Sequence, residues 1–519
     1  MSHKPFIGTY VLETLTTGMY TNPLDTLREF IQNAADSIRT AEEEHLIREG
    51  AGRIEVTLNP TERIVKVRDN GVGIPSQEVA NRLLNIGTST KTIEKDAGFR
   101  GIGRLAGIAY CKALHFRTSA VGENTTSEVK IDCDGIRNTF SPELRQVSRL
   151  EEAIANYSSV TREPCDTDSH FFEVTMNGIL EQVPIFLNWR AVEGYLSQVA
   201  PVKYDAQRFI FATKIQEWVK QYGLSIPTVT LIIKTPEIER EVFKPYKSRY
   251  GTRRSKGIKY ELDIEDVCFY PEVITPESTF WLWYGKTQLL GMIDDTMVAG
   301  LRLRKNNIAI GGPDRVRELF EEVSRSYGRF NSWYIGEIHI ISPHAIPNAR
   351  RDGFEDTGIW PEIKKELIGF VEARAKEAYT ASGARNQPTQ KVITSAKRVI
   401  DKVEKTLAIG IASAKERDNL LKQVDQERKR VTDALKHRKN QEDVKTIEPY
   451  LERLNKIRAS LKNSKPRLKK FRSDLGRKQR KVISEVLEVL FEVLDEVNFE
   501  KAKAAILARF QVEESKTGS

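Results

Sequence analysis

Runs that read as strands stop near residue 380, and beyond about residue 390 apolar side chains recur only at intervals of three and four. That change of period divides the chain into a mixed α/β part and an all-helical arm. In the first part the strand candidates are RIEVTLN (53–59), RIVKVRD (63–69), SEVKIDCD (127–134) and HFFEVTM (170–176), set among glycine-rich turns. A second mixed stretch holds TVTLIIK (228–234), TFWLWYG (279–285), GLRLRKNNIAIGG (300–312) and WYIGEIHIISP (333–343). At roughly 150 residues per domain, a chain of 519 residues has room for three. The expected division is 1–190, 191–381, a polar linker SGARNQPTQ at 382–390, and a helical arm at 391–519.

In the arm, Leu421, Val424, Val431 and Leu435, then Ile447, Leu451, Leu454 and Leu461, predict a helical hairpin or coiled coil. Glu448-Pro449 is expected to form the turn between the two helices, since proline is tolerated in a first helical turn but not in an interior. KVISEVLEVLFEVLDEV (481–497) is apolar on two faces, one through 483, 487, 490, 494 and 497 and the other through 482, 486, 489 and 493. A helix of that kind is buried from both sides, in a bundle or in a dimer interface.

The net charge of +9 is concentrated rather than spread. Residues 391–480 hold 27 Lys and Arg against 12 Asp and Glu, a net +15 that leaves −6 on the remainder. An anionic partner, nucleic acid above all, is therefore sought there. The densest cluster, NSKPRLKKFRSDLGRKQRK (463–481), offers Lys465, Arg467, Lys469, Lys470 and Arg472 as candidate phosphate contacts. A charge run on a coiled coil also suits a solvated face. Cys111, Cys133, Cys165 and Cys268 stand at least 22 residues apart, without the pairing of a zinc ribbon or disulfide scaffold. The N-terminal residues lack a basic segment followed by an apolar core, and no 18 apolar residues run together, so a cytoplasmic protein away from membranes is expected.

Chemistry-bearing residues crowd between 20 and 105. MYTNPLDTLREFIQNAADSI places Glu29, Asn33 and Asp36 at i, i+4 and i+7, one stripe of one helix. A carboxylate there can polarise a water while an amide oxygen one turn away helps hold a Mg²⁺ that bridges phosphates. The same stripe, alone, also suits a solvated helix face. The strand RIVKVRD then runs into DNGVGIP (69–75), where Gly71 and Gly73 let the backbone approach a flat ligand and Asp69 can accept a hydrogen bond from an exocyclic amine. An ordinary Asp-Asn-Gly turn has the same letters. In GFRGIGRLAGIAYC, Gly98, Gly101 and Gly103 precede an apolar helix, whose N-terminal N–H groups suit a polyphosphate. The stretch before them is not a strand, and no G-x-x-x-x-G-K-[ST] occurs, which disfavours both common nucleotide folds.

In that order and spacing, the three elements resemble the GHKL superfamily of ATPases, which includes DNA gyrase B, heat-shock protein 90 chaperones, histidine kinases and MutL. MYTNPLDTLREFIQNAADSI is most similar to the chaperone branch. The resemblance implies ATP and Mg²⁺ as ligands, with Glu29 as general base, Asn33 as Mg²⁺ ligand, Asp36 beside them and Asp69 as adenine reader. It implies that Gly71 and Gly73 flank the base. Residues 76–100 would form a lid with Thr88, Ser89, Thr90 and Lys91 near the phosphates, which Gly98, Arg100, Gly101, Ile102 and Gly103 would cradle. ISPHAIPNARRDGFED (341–356) is similar to the chaperones' middle-domain loop, which brings an arginine to the γ-phosphate. Alignment on Pro347, Asn348 and Asp352 makes that residue Arg351, with Arg350 as the neighbouring alternative.

The sequence departs from the family in two places. Ser169 and His170 stand where the family opens its last strand with Gly-Thr, and the likeness covers about 1–380 before a basic helical arm replaces the chaperones' own dimerisation domain. The expectation is an ATP-driven, heat-shock-protein-90-like clamp, homodimeric through its arm and acting on a client protein or other macromolecule. The alternative is a nucleic-acid clamp in the manner of MutL or microrchidia ATPases, possible in a stress or defence setting. A histidine kinase fits less well, because His437 is followed by Arg438 rather than by an acid. Trp281, Trp283 and Trp333 sit on apolar strands, where aromatic residues fill a core.

Overall fold

Every second residue of β1 (Arg53–Asn59) and β2 (Ile64–Asp69) is buried. Ile54, Val56, Leu58, Val65 and Val67 thus turn one face of the sheet to a core, and Asp69 closes that row at the strand end. The helix Asp25–Glu43 lays Leu27, Phe30, Ile31, Ala34 and Ile38 on the same core. Each fully buried Leu, Ile or Phe there contributes about 2 kcal/mol. The structure, a computed structural model, describes residues 8, 9, 11, 22–86, 103–139, 149–253, 259–356, 358–386, 389–411, 414–436, 441–464, 467, 468, 475–494 and 496–510. It forms two units, Met1–Lys376 and Glu377–Ser519.

The first unit is mixed α/β. Its larger sheet continues with β3 (Cys111–Ser119), β4 (Thr125–Asp132), β5 (Ser158–Pro164), β6 (Phe171–Ile179), β7 (Thr230–Lys234) and β8 (Glu239–Glu241), in the order β5-β4-β3-β6-β2-β1-β7-β8. All neighbours are antiparallel except β1 and β7, which pair in parallel from Arg53↔Thr230 to Thr57↔Lys234. Position 190 is therefore no edge of this sheet, since β7 and β8 come from the region assigned above to the second domain. The apolar helix expected after the glycines is also different. Gly103–Ala109 is a single 3₁₀ segment, and β3 begins two residues later.

The rest of this unit holds β9 (Arg249–Arg253), β10 (Lys259–Asp263), β11 (Asp266–Tyr270), β12 (Phe280–Lys286), β13 (Met292–Ile293), β14 (Gly300–Lys305), β15 (Ile308–Ala309) and β16 (Ile335–Ile340). They form a five-stranded sheet β11-β12-β16-β14-β15 and a three-stranded sheet β10-β9-β13. Trp281 and Trp283 are core residues. Every residue of β14 and β16 is buried, so their charged side chains must satisfy one another. The Glu337 carboxylate accepts from Lys244 Nζ at 2.8 Å, Arg304 Nε at 2.5 Å and the Tyr204 hydroxyl at 2.6 Å. Burial alone would raise this carboxyl, but the Arg304 and Lys244 cations hold it well below the usual carboxylate range. Strand β16, clamped in this way, leads directly into the loop 341–356.

The second unit is helical. Thr389–Ile409, Ala414–Lys436 and Gln441–Asn463 bury Val392, Ile400, Val403, Leu420, Val424, Val431, Ile447, Leu454 and Leu461 in one core. Two expectations change here. Pro449 lies inside Gln441–Asn463 instead of between helices. The burial of Ile447, Leu454, Ile457 and Leu461 holds the helix across the missing proline N–H. Residues 382–386 of the expected linker belong to the helix Trp360–Asn386. The helices Arg477–Val493 and Glu496–Arg509 pack Ile483, Leu487 and Phe499 together. Among the described residues no helix is long and apolar enough to cross a membrane, and the four cysteines are free thiols.

Candidate functional site

The helix Asp25–Glu43 runs along the site and touches a glycine near each end of its functional stripe. At one end, a Cβ on Gly103 would stand 2.1 Å from Glu29 Oε2. At the other, a Cβ on Gly71 would stand 2.2 Å from Ser37 Oγ. Only glycine permits both approaches. The eight steps from residue 29 to residue 37 span about 12 Å along the helix axis. Asn33 lies between, half-buried, and Asp36 is buried with Arg39 Nη2 3.7 Å from its carboxylate. The stripe is a wall of the first unit and not a solvated face, since Glu29 and Asp36 are both about 95% buried.

Asp69 is buried at the end of β2, and its Oδ1 accepts the Gly71 N–H at 2.9 Å, which fixes the plane of the carboxylate. A carboxylate held in that way is an acceptor suited to an amine donor on a flat ligand. Gly73 has φ +69, and a Cβ there would meet the Ser119 carbonyl at 1.9 Å, so the backbone of 71–73 is pressed against β3. Thr118 is fully buried beside it; its hydroxyl accepts the Ile74 N–H and donates to the Phe171 carbonyl, both at 2.9 Å. His170 Nδ1 lies 2.8 Å from the Gly71 carbonyl. The pair Ser169-His170 thus leads into β6 next to the Asp69 loop. Nothing in the sequence singled out Thr118, because β3 was not legible as a strand.

The cation comes from far along the chain. Arg351 Nε lies 2.7 Å from Glu29 Oε1, and both side chains are nearly buried. The neighbouring alternative is placed differently, for it is the Arg350 carbonyl that accepts from Arg28 Nη2, at 3.2 Å. Arg351 sits at a hairpin tip with φ +54, a backbone region that a non-glycine residue adopts only when its surroundings impose it. Those surroundings are specific. Asn348 Nδ2 donates to Asp352 Oδ1 at 2.7 Å, the Arg351 N–H donates to the Asn348 carbonyl at 3.0 Å, and Arg315 Nη2 holds Asp352 Oδ2 at 3.0 Å. Pro347 bridges Phe354 below the tip, and the Gly311 N–H takes up the Arg351 carbonyl at 2.8 Å.

Glu29, Asn33, Asp36, Asp69, Gly71, Gly73, Gly103 and Arg351 are thus brought to one helix and the loops around it. Thr88, Ser89, Thr90, Lys91, Gly98, Arg100, Gly101 and Ile102 lie outside the described residues, as do Lys465, Lys469, Lys470, Arg472 and His437. Arg467 is described only as backbone, in the two-residue strand Arg467–Leu468 that pairs with Gly410–Ile411. Among the described residues no three His, Cys, Asp or Glu side chains gather to hold a metal ion. The amide oxygen of Asn33 is a hard donor of the kind that Mg²⁺ takes beside phosphate and water ligands.

A sheet with a helix carrying Glu and Asn, an Asp-x-Gly-x-Gly turn at a strand end and glycine contact with the glutamate is the arrangement that the resemblance to the GHKL class implies. Residues 21–167, 147 of the 519, match the family described as histidine kinase-, DNA gyrase B-, and HSP90-like ATPase. Curated relatives are chaperone proteins HtpG. The protein from Chlorobium phaeobacteroides is 33% identical over 88 residues, 16% of this chain and 14% of its own length. That of Alkalilimnicola ehrlichii is 30% identical over 156 residues, 27% and 24% of the two chains. In Sulfurovum the likeness is 21% over 233 residues, 44% and 32%. In each case the match spans less than a third of the relative's length.

Proposed function

We propose that the chain hydrolyses ATP to ADP and phosphate with Mg²⁺, and that it works as a conformational clamp on a macromolecular client, in the manner of the HtpG chaperones it resembles. The observation that carries this reading is the 2.7 Å contact between Glu29 and Arg351, from positions 322 residues apart, which supports reading the two as general base and phosphoryl-stabilising cation of one site. Glu29 would take the proton of the attacking water. Asp69 would fix the adenine through its amine, and Asn33 would help hold Mg²⁺, which would supply charge neutralisation at the phosphates. Arg351 pairs with Glu29; the γ-phosphoryl oxygens give it a second anionic partner whose charge it stabilises as the bond to the leaving group breaks. Two copies joined through the helical arm would let nucleotide-driven rearrangement close on a client.

A second reading, an ATP-gated nucleic-acid clamp, is favoured by the net +15 of residues 391–480. Both readings share the hydrolytic step. It is tested by Glu29→Ala, which should retain ATP binding while turnover falls about 10²-fold or more. Wild-type turnover in that variant would remove Glu29 as the base.

A further inference from the structure

The helix Arg477–Val493 has one face packed and one bare. Ile483 and Leu487 are buried against Phe499, while Val482, Val486, Val489 and Val493 are 57%, 44%, 59% and 76% exposed in the full chain. The four valines are spaced 4, 3 and 4, the a/d rhythm of a helix that packs along another helix. Isolated surface valines are ordinary, but a continuous stripe of four over three turns is a patch that water disfavours.

The charges on this helix say what does cover it. Its first five residues, RKQRK, carry four positive charges, and Glu485, Glu488 and Glu492 follow in its second half. That order opposes the helix dipole, which favours acids in the first turn and bases in the last, so the helix alone does not explain it. Among the described side chains of this helix, Lys481 and Glu485 meet as an i, i+4 pair, at 3.7 Å, and both are exposed. A second copy laid antiparallel puts the basic end of each helix beside the acidic end of the other and opposes the two dipoles. A parallel copy would set like charge against like along the whole length. The stripe is also self-complementary in the antiparallel sense, because Val482 then faces Val493 and Val486 faces Val489, the arrangement a two-fold axis requires.

We infer that the valine stripe is the dimer interface of this protein, two Arg477–Val493 helices pairing antiparallel about a two-fold axis near Val486 and Val489. The inference rests on the clamp reading for its purpose and names the surface and orientation that reading leaves open. The test uses the full chain in sedimentation velocity across a hundredfold range of concentration. Wild type should be a dimer, and Val486→Glu/Val489→Glu should halve the mass while circular dichroism and ATP binding stay unchanged. Orientation is tested by charge. Lys478→Glu/Lys481→Glu should weaken the dimer tenfold or more, and adding Glu488→Lys/Glu492→Lys should restore it. A dimer that survives the double valine substitution would overturn this interface while leaving the clamp joined elsewhere, whereas a wild type that is monomeric throughout would overturn both. Lysine reversals without effect on association would overturn the antiparallel arrangement.

Discussion

Glu29 works in a space set by its neighbours, with Arg351 on one oxygen and the Gly103 backbone against the other. Gly103→Ala would drive a methyl group into that second oxygen, so turnover should fall at least tenfold with a smaller change in ATP affinity, as steady-state kinetics and nucleotide titration would show. Asp69→Asn should show the opposite split. Its amide keeps an acceptor for the Gly71 N–H yet presents a donor to an amine, so affinity should drop before rate does, by tenfold or more. The placement of Glu29, Asn33 and Asp36 on one helix and of Asp69 at a strand end was legible in the sequence, because helical spacing and a strand-end acid can be read locally. Arg351 was legible only through the likeness of its loop to that of the chaperones, since no local spacing joins positions 29 and 351. Thr118 and the contact of His170 with Gly71 carried no signal, as each depends on strand register in a sheet whose third strand follows a glycine-rich stretch that reads as a helix start.

On the proposed reading the hairpin around Arg351 positions its guanidinium, and its hydrogen bonds predict how it can fail. Asn348→Ala removes the bond to Asp352 and frees the tip from its left-handed backbone. Hydrolysis should then slow about tenfold while the melting temperature changes little, a loss of orientation and not of fold. Strand β16, which delivers this hairpin, gives a pH signature. His339 stacks on Trp281 with ring centroids 4.2 Å apart, and burial pulls its pKa down to about 4, with Glu337 acting in the other direction. Below the ordinary histidine value of about 6.5 the unfolded chain binds a proton that the folded chain refuses. Stability should therefore be full near pH 7 and fall as pH drops from 6.5 towards 4, by about 3 kcal/mol from this group. Urea titrations at pH 7 and pH 4.5 should show the drop in wild type and a smaller one in His339→Phe. The buried charges of β14 and β16 were not legible, because GLRLRK and IGEIHI look like strands with one solvated face until both faces are seen to be covered. The same holds for Pro449, where tertiary burial of Ile447 and Leu454 overrides a local helix breaker.

For the whole molecule, the change of period near 390 was the legible feature, and the second unit begins close to it at Glu377, inside a helix that no composition signal marked. The extension of the first sheet by β7 was hidden for a different reason, since parallel pairing across 170 residues leaves no trace in local sequence. The net +15 arm makes its own prediction. If it contacts nucleic acid, labelled duplex should bind with a steep loss on raising salt, and Lys469/Lys470/Arg472→Glu should abolish that binding. Salt-insensitive or absent binding in wild type would leave a protein client as the reading. Whether Arg351 completes the proposed site around Glu29 is tested most directly by single-turnover ATP hydrolysis set beside ATP affinity in Arg351→Ala and Arg350→Ala. A rate loss of about 10²-fold or more is expected in Arg351→Ala with affinity changed only a few-fold, and near-normal rates in Arg350→Ala. A wild-type rate in Arg351→Ala, or the loss falling on Arg350→Ala instead, would contradict it.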